Sequence, residues 1–167
     1  MQETTQQYKQ RVLGYVGAQE PLRVLAATAR KLQRLVAGAT PRRLTRPPAA
    51  DKWSAAQILA HLADTEIVLG YRYRSVAGQP GRPLAAYDQE AWASAMDYAR
   101  RPAKRSLQAF AAVRAANLGL LKALRPEQWK LEGVHAERGP ESIAVIARLA
   151  AGHDLNHLLQ LEAILKS

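Results

Sequence analysis

Two histidines that could share a metal ion, His153 and His157, stand four residues apart on the last predicted helix. Side chains at that spacing lie on one helical face, with Cβ atoms roughly 5–6 Å apart, so their imidazoles can converge on one ion. A third histidine from another segment would complete a site, and His61 is the candidate for it. These residue types and spacings therefore predict a tri-histidine metal centre.

Both helices that carry these histidines are predicted to turn them toward the core, because each lies on an apolar stripe of helical spacing. The stripe around His61 contains Ile58, Leu62, Thr65, Val68, Leu69 and Arg72, and the stripe of the last helix contains Ile146, Leu149, Ala150, His153, His157, Leu161 and Ile164. A buried imidazole is costly unless its ring nitrogens have partners, which favours metal ligation for the three together. The alternative is that each is a core histidine bonded to a backbone carbonyl or to Asp64, Asn156 or Gln160.

The chain contains no cysteine, so any metal must be held by nitrogen and oxygen atoms. Three neutral imidazoles leave at least one coordination position for water or substrate, which is typical of a catalytic rather than a structural site. Zinc and nickel suit such ligands best, and manganese and iron suit them less well. A bound ion could acidify a water molecule or polarise a thiol or carbonyl, and the sequence does not choose between these roles.

The composition favours an all-α fold. Alanine, leucine and arginine dominate the 167 residues, aromatic residues make up only 6%, and runs of β-branched residues are lacking. These features favour helices packed on helices over a sheet. The length suits one domain with a substantial core. We therefore expect a single helical-bundle domain over residues 1–167, with a core from about 20 to 167 and an N-terminal strap helix over 4–17.

Start and stop signals divide this domain into four bundle helices. They are expected over 21–37, from 54 to 78, from 102 to 124, and from 142 onward. The clearest start is Ser54 with Gln57, which fits the capping-box pattern. The connections are a proline-rich non-helical stretch over 40–51, a long crossover with a short helical piece over 88–96, and a loop or small hairpin over 131–140. Because the crossover is long, consecutive helices need not alternate up and down.

The formal charge of +10, from 24 lysines and arginines against 14 acids, raises the question of nucleic-acid partners. The basic residues are spread over several segments and form no one-sided stripe, which favours a solvated basic surface. No window approaches the ~20 continuous apolar residues of a membrane span, and the polar start lacks the apolar core of a signal peptide. We therefore expect a cytoplasmic protein with a small-molecule substrate and without a membrane or nucleic-acid partner.

Five short motifs occur in order along the chain. They are Lys52-Trp53-Ser54, His61 to Glu66, Tyr87-Asp88 with Trp92, Gly133 to Gly139, and His153 to Leu161. This ordered set, which runs from about Glu20 to the C-terminus, resembles the DinB/YfiT-like superfamily of metal-dependent enzymes. The resemblance implies a four-helix bundle with up-down-down-up order, often dimeric. It also implies that a metal is held by the family's ligand positions, which match His61, His153 and His157.

The resemblance further implies a metal-dependent enzyme. Relatives include thiol-dependent S-transferases and maleylpyruvate isomerases that use low-molecular-weight thiols, so a thiol-dependent S-transferase or a related transferase or hydrolase is expected. The alternatives are a non-catalytic, stress-related module that binds a metal or ligand and, less favoured, a basic nucleic-acid-binding protein. His135, in the glycine-containing loop, could be a proton donor or an extra ligand, or an ordinary loop histidine.

Other residues near the histidines carry weaker expectations. Those expected to shape the substrate pocket are Tyr87, Asp88 and Trp92. Asn156 and Gln160 could orient the ligating imidazoles through hydrogen bonds, which metal-bound histidines usually require. Asp154 could do the same, although a surface position is expected for it, and Glu66 is expected to pair with an arginine. Arg72 could bind the carboxylates of an anionic thiol cofactor.

Overall fold

Helices account for most of the computed structural model, which describes residues 3–166. The elements in order are α1 (Thr5–Val16), α2 (Pro21–Ala37), α3 (Pro41–Thr45), α4 (Ala55–Gly78), α5 (Gln89–Ala95), α6 (Ala103–Ala123), β1 (Glu132–His135), β2 (Gly139–Ser142) and α7 (Ile143–Lys166). The four long helices α2, α4, α6 and α7 form a bundle, which confirms the predicted all-α class. Every helix within residues 3–166 is too short or too polar to span a lipid bilayer.

The predicted starts of two bundle helices are confirmed by their caps. Ser54 Oγ accepts from the backbone N–H of Gln57 at 3.3 Å, and the Gln57 side chain accepts from the Ser54 N–H at 2.9 Å. Ser142 Oγ accepts from the Val145 N–H at 3.2 Å at the start of α7. Such caps satisfy backbone donors that have no partner within the helix, so they fix where each helix begins.

The proline-rich connection differs from the expectation, because it contains the short helix α3. Pro41 occupies the first turn of α3, where a missing N–H costs nothing, and Thr40 Oγ1 caps the helix by accepting from the Arg43 N–H at 3.3 Å. Three prolines excluded a long helix here but permitted one that begins at a proline.

Two core clusters, one toward each end of the bundle, show the direction of every bundle helix. The first contains Val24, Val76, Leu121 and Ile146, and the second contains Leu32, Ile58, Phe110 and Leu161. Helices α2 and α7 run from the first cluster to the second, whereas α4 and α6 run from the second to the first. The predicted up-down-down-up order is therefore confirmed, and it makes α4 antiparallel to α7.

A small hairpin covers one end of the bundle and confirms the predicted loop or hairpin over 131–140. Strands β1 and β2 pair antiparallel with Glu132 opposite Ser142. The chain before α5 runs beside β1, where the Leu84 N–H donates to the Val134 carbonyl at 2.9 Å. Gly133 permits this approach, since a Cβ there would lie 2.4 Å from the Leu84 side chain. The hairpin thus brings His135 and the segment after Leu84 toward the same side of α4.

The N-terminal helix α1 packs across α7. At the crossing, a Cβ on Gly152 would lie 2.2 Å from the Val12 carbonyl oxygen, so a glycine is needed for the two backbones to come this close. Arg11 fixes the crossing from the other side by donating to Asn156 Oδ1 at 2.6 Å. Helix α1 is thereby held against the part of α7 that carries two of the candidate ligands.

The variant Gly152→Ala is expected to release α1 from α7. The new methyl group would meet main-chain atoms of Val12, which cannot move without displacing the whole of α1. Faster proteolysis and faster amide hydrogen exchange of residues 5–16 are the expected results. Gly119→Ala on α6 is the matched control, because nothing lies within 4 Å of its Cβ position. That control should be slightly stabilised, by about 0.5–1 kcal/mol, and equal protection of α1 in both variants would contradict the proposed role of Gly152.

Candidate metal centre

The structure brings His61, His153 and His157 together between the antiparallel helices α4 and α7. The Nε2 atom of His153 lies 2.9 Å from Nε2 of His61 and 3.1 Å from Nε2 of His157. One ring nitrogen of each histidine lies within 4.8 Å of the other two. In the part of the chain that the structure describes, no other group of three histidine or acidic side chains converges in this way. A buried cluster that could bind a metal is therefore present.

All three imidazoles are held in the neutral form, which is the form that ligates metals. Burial, and secondarily the charge of His157, lowers the pKa of His61 to about 3. Burial also lowers the pKa of His157 to about 4 and that of His153 well below its usual value. At neutral pH the cluster therefore offers lone pairs, so a cation does not have to displace protons to bind.

The ring of His157 is oriented by a hydrogen bond on the nitrogen that does not face the cluster. His157 Nδ1 lies 2.8 Å from Gln160 Oε1, which suits an Nδ1–H donor and leaves the Nε2 lone pair directed at the cluster. Gln160 thus has the geometry expected of a residue that orients a ligand. His61 Nδ1 is buried and has no hydrogen-bond partner among residues 3–166, and its ring is packed against Trp53 at 5.1 Å between centroids.

A cavity of about 430 Å³ opens beside the cluster, with His61 and His153 in its wall. Helix α4 contributes Thr65, Val68, Leu69 and Arg72, α7 contributes Ile146, Leu149 and Ala150, and α1 covers it with Tyr8, Lys9 and Val12. Its volume is within the range of small-molecule pockets. Helix α1, which was expected to be a strap, therefore forms one wall of the cavity that leads to the three histidines.

Two hydroxyl groups adjoin the cluster on the cavity side. Thr65 Oγ1 lies 3.4 Å from His61 Nε2 and 2.6 Å from the Tyr87 hydroxyl. Tyr87 lines the cavity and packs against Trp92 with ring centroids 4.6 Å apart. Asp88, which was expected in the pocket, instead caps α5 by accepting from the Glu90 and Ala91 N–H groups. Tyr87 shapes the cavity directly, and Trp92 supports its ring.

His135 also lines the cavity but does not converge with the other three histidines. Its Nδ1 accepts from the Glu137 backbone N–H at 3.2 Å, so the neutral ring carries its proton on Nε2. Burial, and then the neighbouring charge of Arg138, lowers the pKa of His135. In this state His135 suits a hydrogen-bond donor at the cavity wall better than a proton donor or a further ligand.

A buried ionic network next to the cluster was not predicted. Arg114 of α6 donates to both carboxylate oxygens of Asp154, at 2.5 and 3.0 Å, and to Glu66 Oε2 at 2.7 Å. The expectation that Asp154 is a surface acid is wrong, since the residue is only 1% exposed. The expected pairing of Glu66 with an arginine is present. A signal was available in the sequence, because Arg114 and Asn117 recur at helical spacing with Leu107, Phe110, Leu118 and Leu121, where apolar side chains are expected.

The lowered histidine pKa values predict acid sensitivity of the metal-free protein. The unfolded chain binds protons at these imidazoles near pH 6.5, whereas the folded chain resists protonation until about pH 4 or below. The unfolded state therefore binds more protons in this window, and stability must fall as the pH falls. Urea unfolding between pH 7 and 4 should show a loss of several kcal/mol. In the variant His157→Gln, the free energy of unfolding should fall less steeply as the pH falls. An equal fall in both proteins would contradict the conclusion that folding keeps His157 neutral.

Comparison with known proteins places the chain in a family. A sequence model of the DinB superfamily matches residues 25–161, which include all three clustered histidines. The chain belongs to the DinB superfamily. This DinB-superfamily chain is also similar to a protein from Oceanobacillus iheyensis that carries the name "Putative metal-dependent hydrolase OB0782", with 27% identity over 114 residues. A second protein of that organism, "Putative metal-dependent hydrolase OB0413", is 25% identical over 115 residues.

The matched segment covers 68% and 69% of the chain but only 66% of the length of each of these two relatives. A solved structure extends the similarity to nearly the whole chain. YfiT from Bacillus subtilis, described as a probable metal-dependent hydrolase with an unusual four-helix bundle topology, superposes with a TM-score of 0.77. The superposition covers 96% of the chain and 88% of YfiT at 20% identity. At that identity the match shows the fold alone, a four-helix bundle.

Proposed function

We propose that the protein is a divalent-metal-dependent enzyme that acts on a small molecule, with His61, His153 and His157 as the metal ligands. The observation that supports this most is that three neutral imidazole nitrogens converge at the wall of an accessible cavity. A ligand set of three imidazoles and no carboxylate suits zinc or nickel best, and it suits manganese or iron less well. The names of the two similar proteins from Oceanobacillus iheyensis agree with this proposal.

The residues around the three histidines suit hydrolysis or group transfer. When bound, a divalent ion supplies Lewis acidity, which lowers the pKa of a water or thiol and polarises a carbonyl. The paired hydroxyls of Thr65 and Tyr87 adjoin His61 and can orient a polar group of the substrate by hydrogen bonds. His135, neutral with its hydrogen on Nε2, can donate a hydrogen bond to a polar group of a substrate in the cavity. Helix α1 covers one side of the cavity with Tyr8, Lys9 and Val12.

Two reaction classes fit this arrangement. Hydrolysis uses water as the nucleophile, and it agrees with the names of the similar proteins. Transfer to a low-molecular-weight thiol, which the sequence resemblance implies, would place the thiol in the same cavity. A non-catalytic metal- or ligand-binding module is the second candidate. It is favoured by His61 Nδ1, which has no hydrogen-bond partner among residues 3–166, because loss of such a partner lowers metal affinity or activity at metal-binding histidines.

The test begins with metal analysis of protein purified without a histidine tag. The loaded protein is then assayed against a panel of ester and amide substrates, and against several electrophiles with and without added thiols. Activity that depends on stoichiometric metal and is lost in His61→Ala would support an enzyme. Metal binding with no exchangeable water and no turnover would identify the non-catalytic module. DNA binding that falls with salt and survives replacement of all three histidines would instead identify a basic nucleic-acid-binding protein.

We also propose that the protein forms a homodimer. Ile67 and Tyr71 stand four residues apart on one face of α4 and are 56% and 60% exposed, which leaves a small apolar surface uncovered in the monomer. The expected result of sedimentation analysis is a dimer that dissociates in the variant Tyr71→Glu. A wild-type monomer at all accessible concentrations would contradict the proposal without affecting the metal site.

A further inference from the structure

The cavity contains a second polar centre at a distance from the histidines. Arg72 lies eleven residues after His61 on α4, which is about three turns along the same face and roughly 16 Å along the helix axis. Both residues line the cavity. On α4 and α7, the side chains that line the cavity between them are apolar except for Thr65: Val68, Leu69, Ile146, Leu149 and Ala150. A ligand that contacted both ends would therefore be elongated and apolar in the middle.

Three basic side chains line the cavity, those of Lys9, Arg72 and Arg138. Within the described residues, Arg72 is the one of the three that has no acidic partner. Arg138 donates to both oxygens of Glu141 at 2.6 and 2.9 Å, and Lys9 lies 4.0 Å from the same carboxylate. Among residues 3–166, no carboxylate lies within 4.0 Å of the Arg72 guanidinium. A partly buried guanidinium without a counter-ion is unfavourable unless a ligand supplies the charge.

The Arg72 guanidinium is oriented by hydrogen bonds, and not all of its N–H donors are used by them. Its Nε and Nη2 atoms both donate to the Ala85 backbone carbonyl, which fixes the plane of the group. Nη1 has no hydrogen-bond partner in the described chain. Burial, and secondarily the neighbouring charge of Arg138, lowers the pKa of Arg72, and the opposing effect of Glu141 is smaller. One free edge of a single guanidinium suits a singly charged carboxylate better than a phosphate dianion, which usually needs more donors.

We propose that Arg72 is a second subsite of this cavity and binds the carboxylate of an elongated, otherwise apolar small molecule whose other end reaches the histidine cluster. This inference rests on the proposed function for the role of the histidine end, whereas the carboxylate end stands on the contacts of Arg72 alone. It identifies the substrate class as monocarboxylates with their reactive group remote from the carboxylate. Arg72 is a binding and specificity residue and takes no part in bond breaking.

The test compares octanoate with octanamide, which have the same length and differ in charge, on protein freed of metal with a chelator. Without metal, octanoate cannot gain affinity by ligating an ion. The wild type should bind octanoate on the order of 10-fold more tightly than octanamide, since a charge-assisted hydrogen bond is lost with the amide. Arg72→Gln should bind both probes with the affinity that the wild type shows for octanamide. Arg105→Gln, which removes an exposed arginine on α6, should keep the preference.

Three results would overturn the proposal. They are equal binding of the two probes by the wild type, a preference retained in Arg72→Gln, and a preference lost equally in Arg105→Gln. If Arg72→Gln does not fold, nitrogen-15 NMR of the wild type decides: octanoate must shift the Arg72 Nε–H signal more than octanamide does, and equal shifts overturn the subsite. His153→Ala separates this proposal from the proposed function, because it should lose metal yet retain the preference for octanoate. If His153→Ala retained its metal, the assignment of His153 as a ligand would be wrong, whereas the proposal that Arg72 binds a carboxylate would be unaffected.

Discussion

Replacing His153 with alanine is expected to abolish stoichiometric metal binding while leaving the helical content of the protein unchanged. His153 Nε2 is the central atom of the cluster, 2.9 Å from one neighbouring imidazole nitrogen and 3.1 Å from the other. Removing it leaves two ligands on different helices, and an affinity loss of at least about 100-fold is expected, because even residues that only orient ligands contribute 10–100-fold. Metal analysis and calorimetric titration of tag-free protein measure the loss, and far-ultraviolet circular dichroism measures the helix content.

The control for this experiment is His135→Ala. His135 lines the same cavity but lies outside the converging group, so its loss should leave metal affinity unchanged and reduce only turnover. A His153→Ala protein that holds one ion as tightly as the wild type would show that the ligand assignment is wrong. A His135→Ala protein that loses its ion would show that the site includes a fourth histidine.

The candidate site could be predicted from the sequence to the extent that helical periodicity determines it. The spacing of His153 and His157 fixed their common face, and the apolar stripe around His61 indicated that this residue also points inward. Capping residues such as Ser54 gave the helix starts because a cap is a local interaction between neighbours. That the two helices meet at the histidines was inferred from the inward direction of all three side chains, and the family resemblance implied the same ligands.

The rest depends on partners that are distant in the sequence, and local patterns do not identify those partners. Asp154 is a polar residue beside a ligand and was expected at the surface, yet its partner Arg114 is forty residues away on α6 and buries it. His135 reaches the cavity only because the hairpin packs beside the chain before α5. The orientation of Arg72 likewise depends on a backbone carbonyl, that of Ala85, which carries no side-chain signal.

Replacing Arg114 with methionine is expected to destabilise the protein by about 3–5 kcal/mol, the usual cost of removing one partner from a buried ion pair. Arg114 is 3% exposed and is the cation within hydrogen-bond distance of both Glu66 and Asp154. Methionine retains much of the apolar stem, so the change tests charge more than packing. Urea unfolding of chelator-treated protein measures the effect without a contribution from bound metal. Arg105→Met on the same helix is the exposed control and should change stability by less than about 0.5 kcal/mol.

The pH dependence of this loss distinguishes buried charge from lost packing. In the wild type, burial already raises the pKa of Glu66 against the opposing effect of Arg114. Without the guanidinium, the pKa of Glu66 in the folded state should rise further above its unfolded value, so the folded state binds more protons and stability falls as the pH rises. Arg114→Met should therefore be less destabilised at pH 5 than at pH 8, and adding Glu66→Gln and Asp154→Asn should recover part of the loss at pH 8. A loss that is the same at both pH values and is not recovered would assign the role of Arg114 to packing against Phe110.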